Sequence, residues 1–310
     1  MNQQSIPTRD GYGKGLLAYS RTNKNIVVID ADLGKSIRTG QFAKSFPDRY
    51  FNVGISEQDM VCISAGMAIS GKIPFANSFA IFTERAFEQI RNAIARPNLN
   101  VKIIGSHGGI LTGEDGSSAQ SIEDFAIYRA LPNMTVVNPA DAIEAENAVS
   151  VIAEHNGAVY MRLTRDKVPV LFNEDYKFRL GKGVILREGS DAVIFATGPL
   201  VAESLKAFDE LVKIGIMAYV VNIHTIKPID KELIIRLAKK TSAVITAEDH
   251  NIIGGLGSAV AEILAENCPC KFVRIGINDT FGESGSPQEL YLKYGLTYEN
   301  IIKEVKKIVM

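Results

Sequence analysis

Eight short runs of apolar, mostly β-branched residues punctuate the chain, at 26–30, 101–105, 135–138, 159–163, 192–196, 218–221, 243–246 and 271–275. Apolar and polar positions hardly alternate within them. Unbroken runs of this kind predict strands buried on both faces, and the helical periodicity between them predicts parallel sheets joined by right-handed crossovers. The pattern therefore predicts an α/β protein of two domains, each a mainly parallel sheet flanked by helices. Between Asp166 and Ser190 the helical pattern lapses into Pro169, Asn173, Gly181, Gly183 and Gly189 amid charges, while strand and helix alternate on either side. Residues 1–170 are expected to form the first domain, 171–189 a linker and 190–310 the second. A length of 310 residues suits two domains of ordinary size.

Three helices are well marked. Ser56 followed by Asp59 reads as a capping-box-like start, with Met60, Ile63 and Met67 along one face and Gly71 as the stop. Residues 83–95 read as one helix stopped by Pro97. Pro139-Ala-Asp141 opens another, with apolar Ile143, Ala145, Val149 and Ile152.

Charge and composition narrow the function by exclusion. Lys plus Arg at 34 against Asp plus Glu at 35 gives a formal charge of -1, which offers no attraction for a polyanionic partner such as nucleic acid. Three cysteines, Cys62, Cys268 and Cys270, are too few for a secreted disulfide framework, and Cys268-Pro-Cys270 lacks the second pair a zinc site needs. The polar start and the absence of a long apolar run predict neither a secretory signal nor a membrane span, so a reducing cytoplasm is the expected location.

Candidate chemistry lies at strand-to-helix turns. Glu57 sits where Asn52-Val-Gly-Ile-Ser56 gives way to a helix, and its carboxylate is expected near the carboxyl edge of a sheet, where α/β proteins bind ligands. An acid in the first helical turn is also favoured by the macrodipole alone, so both readings stand. Residues 105–124 concentrate glycines with His107, Glu114 and Asp115 between a strand and a helix, either as a site loop or as a turn-rich connection. Gly254-Gly-Leu-Gly257 suggests a phosphate cradle superficially, but a tight turn explains it better. No GxxxxGK[ST], HExxH or GxSxG occurs, and the four histidines are too scattered for a metal cluster.

Taken in order, Pro7-Thr-Arg9, Asp30-Ala-Asp-Leu33, Val53-Gly-Ile-Ser-Glu57, Asn77-Ser-Phe-Ala-Ile-Phe82, Ser106-His107 with Gly113-Glu-Asp-Gly116, and Leu163-Thr-Arg165 resemble transketolase. The resemblance continues through 221–229 and 248–255, so it covers nearly the whole chain but only the C-terminal half of a full-length transketolase. It implies a pyrimidine-binding domain followed by the C-terminal domain of thiamine diphosphate enzymes, and the transfer of a two-carbon ketol unit from a ketose phosphate to an aldose phosphate. The family's diphosphate and metal motif belongs to its N-terminal domain and has no counterpart here; Gly113-Glu-Asp-Gly116 is a different loop. The resemblance therefore implies a separate N-terminal subunit that holds the diphosphate with Mg²⁺ or Ca²⁺, no metal ligand in this chain, and an α₂β₂ assembly around a dimer of this chain.

Carried over residue by residue, Glu57 matches the glutamate that hydrogen-bonds N1′ of the aminopyrimidine. Phe79, Phe82 and Arg85 match the pyrimidine pocket, and Asp32 and Leu33 match residues beside the thiazolium. Arg9, Ser36 and Arg165 match the phosphate-binding set, His107 a histidine on the donor hydroxyls, and Asp115 the carboxylate that reads the acceptor's C2 hydroxyl. Ala119 departs from the family, which often carries histidine or glutamine there, and the adjacent Gln120 is the expected substitute. Deoxyxylulose phosphate synthase, the beta subunit of a 2-oxo acid dehydrogenase, and a non-catalytic relative share the general pattern. The first normally has Asp-Arg in place of His107-Gly108, and the second generally lacks the phosphate-binding arginines.

Overall fold

Every position of Ile26–Asp30 and of Ala192–Ala196 is buried, as a central strand covered on both faces requires. The computed structural model describes residues 4–241 and 243–310; residues 1–3 of the polar start lie outside them. The first half contributes β1 (Ser5–Ile6), β2 (Ile26–Asp30), β3 (Tyr50–Asn52), β4 (Ile73–Phe79), β5 (Lys102–Ser106), β6 (Met134–Val137), β7 (Ala158–Leu163) and β8 (Val168–Pro169). The second contributes β9 (Val184–Arg187), β10 (Ala192–Ala196), β11 (Ala218–Asn222), β12 (Thr225–Lys227), β13 (Ala243–Asn251) and β14 (Lys271–Ile277).

Two sheets carry the architecture. The larger has the order β12-β6-β7-β5-β4-β2-β3 and is parallel apart from β12. The smaller has the order β14-β13-β10-β11-β9 and is parallel apart from β9. The α/β expectation of two mainly parallel sheets is met. Strand β12 comes from the second half of the chain yet completes the first sheet, so the expected division at 170 is crossed by one strand.

Helix Thr8–Ser20 lies against helix Ala142–Glu154 at backbone contact, because a Cβ on Gly11 would stand 1.9 Å from the Ala142 carbonyl oxygen. Asp141 caps the latter helix by accepting from the Glu144 amide at 2.7 Å. This packing holds Arg9, in the first turn of Thr8–Ser20, over the carboxyl end of the first sheet.

Local expectations fared unevenly. Ser56 does precede helix Glu57–Ile69, but its hydroxyl donates back to the Val53 carbonyl at 2.8 Å and caps no helical amide, so no capping box forms. Residues 83–95 are not one helix: Ala80–Glu84 ends, Phe87–Gln89 resumes, and Ile90–Ala95 is a π-helical turn. Strand β4 is not marked by an unbroken apolar run, because Pro74, Asn77 and Ser78 interrupt it. Asn77 nevertheless sits buried, with its carbonyl oxygen accepting from the Tyr12 hydroxyl at 2.6 Å and its amide donating to the Phe75 carbonyl at 2.7 Å.

Candidate active site

The expected site residues gather along the carboxyl edge of the seven-stranded sheet. Asp32 and Leu33 follow β2, Phe79 ends β4, His107 follows β5, Arg165 follows β7, and Glu57 opens the helix after β3. Parallel strands all release their loops at this edge, which is why residues far apart in sequence converge there.

One continuous run of contacts links most of them. Glu57 is only 1% exposed, and its carboxylate accepts from the Ser78 hydroxyl at 3.2 Å and from the Arg85 guanidinium at 3.2 Å. Arg85 stands 5.7 Å over the Phe82 ring, Phe82 stacks on Phe79 at 5.5 Å with planes 12° apart, and Phe79 stacks on His107 at 3.7 Å. The Arg9 guanidinium donates to His107 Nε2 at 3.3 Å and to the Ser36 carbonyl at 3.0 Å. Because a guanidinium can only donate, Nε2 is the acceptor and Nδ1 carries the proton, donated to Ser106 Oγ at 2.9 Å. Burial, with Arg9 and Arg165 nearby, holds the His107 pKa down at about 3, so the ring is neutral at any working pH.

A second group adjoins the first. Arg165 donates to the Thr112 carbonyl at 2.5 Å and to Glu114 at 3.1 Å, with Asp115 at 3.5 Å, and Thr112 Oγ1 donates to the His107 carbonyl at 2.6 Å. Asp32 stands apart. It is exposed, in left-handed conformation at φ 60°, and its carboxylate accepts from the Asn52 amide at 2.9 Å. Leu33 packs half-buried against the same core cluster as Phe79.

Beside Glu57 opens a cavity of about 450 Å³ lined by Ile55, Glu57, Gln58, Cys62, Arg85 and Gln89. Its chemistry suits an aminopyrimidine. A carboxylate held in a dry setting offers a hydrogen bond to a ring nitrogen, and the half-exposed Arg85 can yield the oxygen it occupies. The Phe79 and Phe82 rings offer stacking faces. Among the described residues no group of three or more His, Cys, Asp or Glu is arranged to hold a metal ion.

One expectation is corrected. Gln120 does not stand in at Ala119: it is buried, and its amide donates to the Gly113 and Glu283 carbonyls, both at 3.0 Å. The tight-turn reading of 254–257 holds: Gly254 is left-handed at φ 83°, and helix Leu256–Asn267 begins after Gly255 with its Leu256 and Gly257 amides donating to the Glu248 carboxyl group at 2.6 and 2.7 Å. Sequence reasoning also passed over Ser78, which supports Glu57, and Glu84, whose carboxyl accepts from Ser121 Oγ at 2.5 Å and is pushed up to about 8 by burial. Ser78 stands in a block already singled out, directly before Phe79; Glu84 carries no signal in spacing or composition.

Residues 4–170 match the transketolase pyrimidine binding domain, and residues 181–301 match the transketolase C-terminal domain. The chain belongs to the transketolase family. It is 49% identical over 301 residues to a Methanocaldococcus jannaschii protein named as a transketolase C-terminal section, covering 96% of this chain and 94% of that one. It is 43% identical to a 6-deoxy-6-sulfo-D-fructose transketolase subunit of a Clostridium species, covering 97% of this chain and 94% of that subunit. A solved split-gene transketolase, an inactive β4 tetramer, superposes with a TM-score of 0.91 at 48% identity and covers 99% of both chains. Transketolase-family domains of this type are thiamine diphosphate dependent. No helix among the described residues is long and apolar enough to cross a membrane.

Proposed function

We propose that this chain is the C-terminal subunit of a cytoplasmic transketolase that moves a two-carbon ketol unit from a ketose phosphate to an aldose phosphate together with a separate N-terminal subunit. The observation that carries the reading is Glu57, 1% exposed beside an open cavity and joined through Arg85, Phe82 and Phe79 to a neutral His107. When bound, thiamine diphosphate supplies the carbon nucleophile and electron sink for such a transfer. Glu57 holds the ring nitrogen of its aminopyrimidine, Phe79, Phe82 and Arg85 wall that ring, and Asp32 and Leu33 border the thiazolium. The partner chain provides the diphosphate ligands and Mg²⁺ or Ca²⁺, and the whole assembles as α₂β₂.

His107, with its tautomer set by Arg9 and Ser106, hydrogen-bonds donor hydroxyls and stays neutral while doing so. Asp115 reads the acceptor hydroxyl. Arg9 and Arg165, with Ser36 beside them, receive the phosphate, whose oxygens replace the Glu114 and Asp115 carboxylates now on Arg165. Residues 1–170 and 190–310 act as the two domains, joined by 171–189.

The test is reconstitution. The purified chain alone should not transfer ketol units; mixed with its diphosphate-binding partner, thiamine diphosphate and Mg²⁺, it should transfer them from xylulose 5-phosphate to an aldose phosphate. Release of CO₂ from pyruvate with formation of deoxyxylulose phosphate, or full activity of the isolated chain, would overturn the reading.

A further inference from the structure

The loop that carries His107, Glu114 and Asp115 is held from outside its own domain. His107 itself adopts a left-handed backbone at φ 61°, a conformation that is costly for a side-chain-bearing residue and persists only where the surroundings impose it. Asp249, at the carboxyl end of β13 in the other sheet, supplies the imposing contacts. Its carboxylate accepts from the Ile110 amide at 2.9 Å and the Leu111 amide at 3.4 Å, three and four residues past His107. The Tyr291 hydroxyl donates to the same carboxylate at 3.1 Å and fixes its rotamer. Contact is so close that a Cβ on Gly109 would lie 2.3 Å from the Asp249 carboxylate, and Gly109 is itself left-handed at φ 78°.

The far end of the loop is held by the same half of the chain. Gln120 bridges the Gly113 and Glu283 carbonyls, and Gly113 and Gly116 press on Pro287 and Ser284. The second-domain groups involved are Asp249, Tyr291, Glu283, Ser284 and Pro287. They grip the backbone that presents the site and leave its side chains free.

We infer that the C-terminal domain serves as the clamp of the substrate loop, with Asp249 as the positioning residue that keeps His107 in its left-handed, substrate-facing conformation. The inference rests on the proposed substrate role of His107 and adds a task for the second domain. Asp249 touches no substrate. It acts by spending a carboxylate on the first two amides of the Ile110–Asp115 turn, which have no partner within that turn, and so by fixing where the His107 ring stands.

Two measurements on the full chain assembled with its partner test this. In Asp249→Asn, hydrogen–deuterium exchange at the Ile110 and Leu111 amides should rise at least about tenfold while β5 and helix Glu57–Ile69 keep their protection. Unchanged protection at 110–111 would overturn the proposal. Asp249→Asn should also lower kcat/KM for a ketose donor about a hundredfold, the scale of a misplacement of about 1 Å, without changing thiamine diphosphate affinity. In a His107→Ala background that loss should largely vanish; fully additive losses would mean a general structural role and overturn the positioning claim. Should Asp249→Asn fail to assemble, Tyr291→Phe, which removes one hydrogen bond to Asp249, should give the same pattern at smaller amplitude, and its absence there would count equally against the clamp. If His107→Ala alone leaves turnover intact, the substrate role of His107 fails, and the exchange result still decides whether Asp249 clamps the loop.

Discussion

The two sheets end in carboxyl edges that have been put to opposite uses. At the edge of the seven-stranded sheet, Glu57 and Arg85 line an open cavity, and part of the hydrogen-bonding capacity of Glu57 and Arg165 is held by groups that a ligand can displace. At the edge of the five-stranded sheet, Thr197, Asn222, Glu248, Asp249 and His250 are engaged inside the protein. Thr197, after β10, accepts from the Asn138 amide at 3.2 Å; Asn222, ending β11, donates to Glu144 at 2.9 Å; Glu248 caps the following helix; Asp249 grips the 110–111 amides; and His250 stacks on Phe125 at 4.9 Å. The rule that α/β sheets bind ligands beyond their carboxyl ends therefore applies to an edge that stays open. The second edge is filled by the first half of the chain and works as a joint.

That contrast can be broken by mutation. The largest effect is expected at the joint, where Arg162 donates to the Asp249 and Ser121 carbonyls at 2.7 and 2.8 Å and pairs with buried Asp124 at 3.2 Å. Arg162→Met leaves Asp124 as an uncompensated buried acid and should cost about 3–5 kcal/mol in denaturant unfolding. A loss confined to substrate KM at unchanged stability would place Arg162 on the wrong side of the comparison. Next come Arg165→Ala and Arg9→Ala at the open edge. Each should raise KM for phosphorylated sugars about tenfold to hundredfold, from the 1.5–3 kcal/mol of a charged hydrogen bond, while unphosphorylated sugars change little. Equal losses for both classes would make these arginines structural.

A smaller, pH-dependent effect should appear at Glu144, which is fully buried, accepts from Tyr176 and Asn222, and has its carboxyl pushed up to about 7 by burial. A carboxyl with a raised pKa keeps its proton longer in the folded state, so its contribution is complete below about 4.5 and is lost as pH rises through about 7. The stability difference between wild type and Glu144→Gln should move in favour of the variant between pH 5 and pH 8, measured by denaturant titration; a constant difference would refute the assignment. The smallest effect is an expected absence. With its pKa near 3, His107 should put no inflection near 6.5 into the pH profile of kcat/KM, and one that disappears in His107→Ala would show that the ring titrates there.

How much of this was readable beforehand follows the same line between open and closed. Strands such as β2 and β10 announce themselves because a strand buried on both faces has no polar position to hide it. Strand β4 does not, since Asn77 and Ser78 are buried polar residues whose partners, Tyr12 and Glu57, come from elsewhere in the chain. The open edge was legible because its residues lie in ordered blocks beside strand ends, and the structure brings Glu57, Phe79, Phe82, Arg85, His107, Arg9 and Ser36 into one run of contacts. The joint was not. Arg162, Asp124 and Tyr291 are scattered through the sequence: Arg162 pairs with Asp124 inside the first half and Tyr291 with Asp249 inside the second, and only the packing of one half on the other brings Arg162 to the Asp249 carbonyl. Gln120 shows the hazard of reasoning by proximity in sequence, because it is buried while its neighbour Ala119 is half-buried.

The central claim, that the open edge is the cofactor-activating half of a shared site, turns on Glu57. Exchange of the C2 proton of thiamine diphosphate, followed by NMR on the assembled enzyme, reads this step without the rest of turnover. Glu57→Gln should slow the exchange by about 10² to 10⁴, the range for losing one positioned proton-transfer group, with assembly and melting temperature unchanged. An exchange rate equal to wild type in a correctly assembled variant would contradict it, leaving Glu57 as an acid placed only to suit the end of its helix.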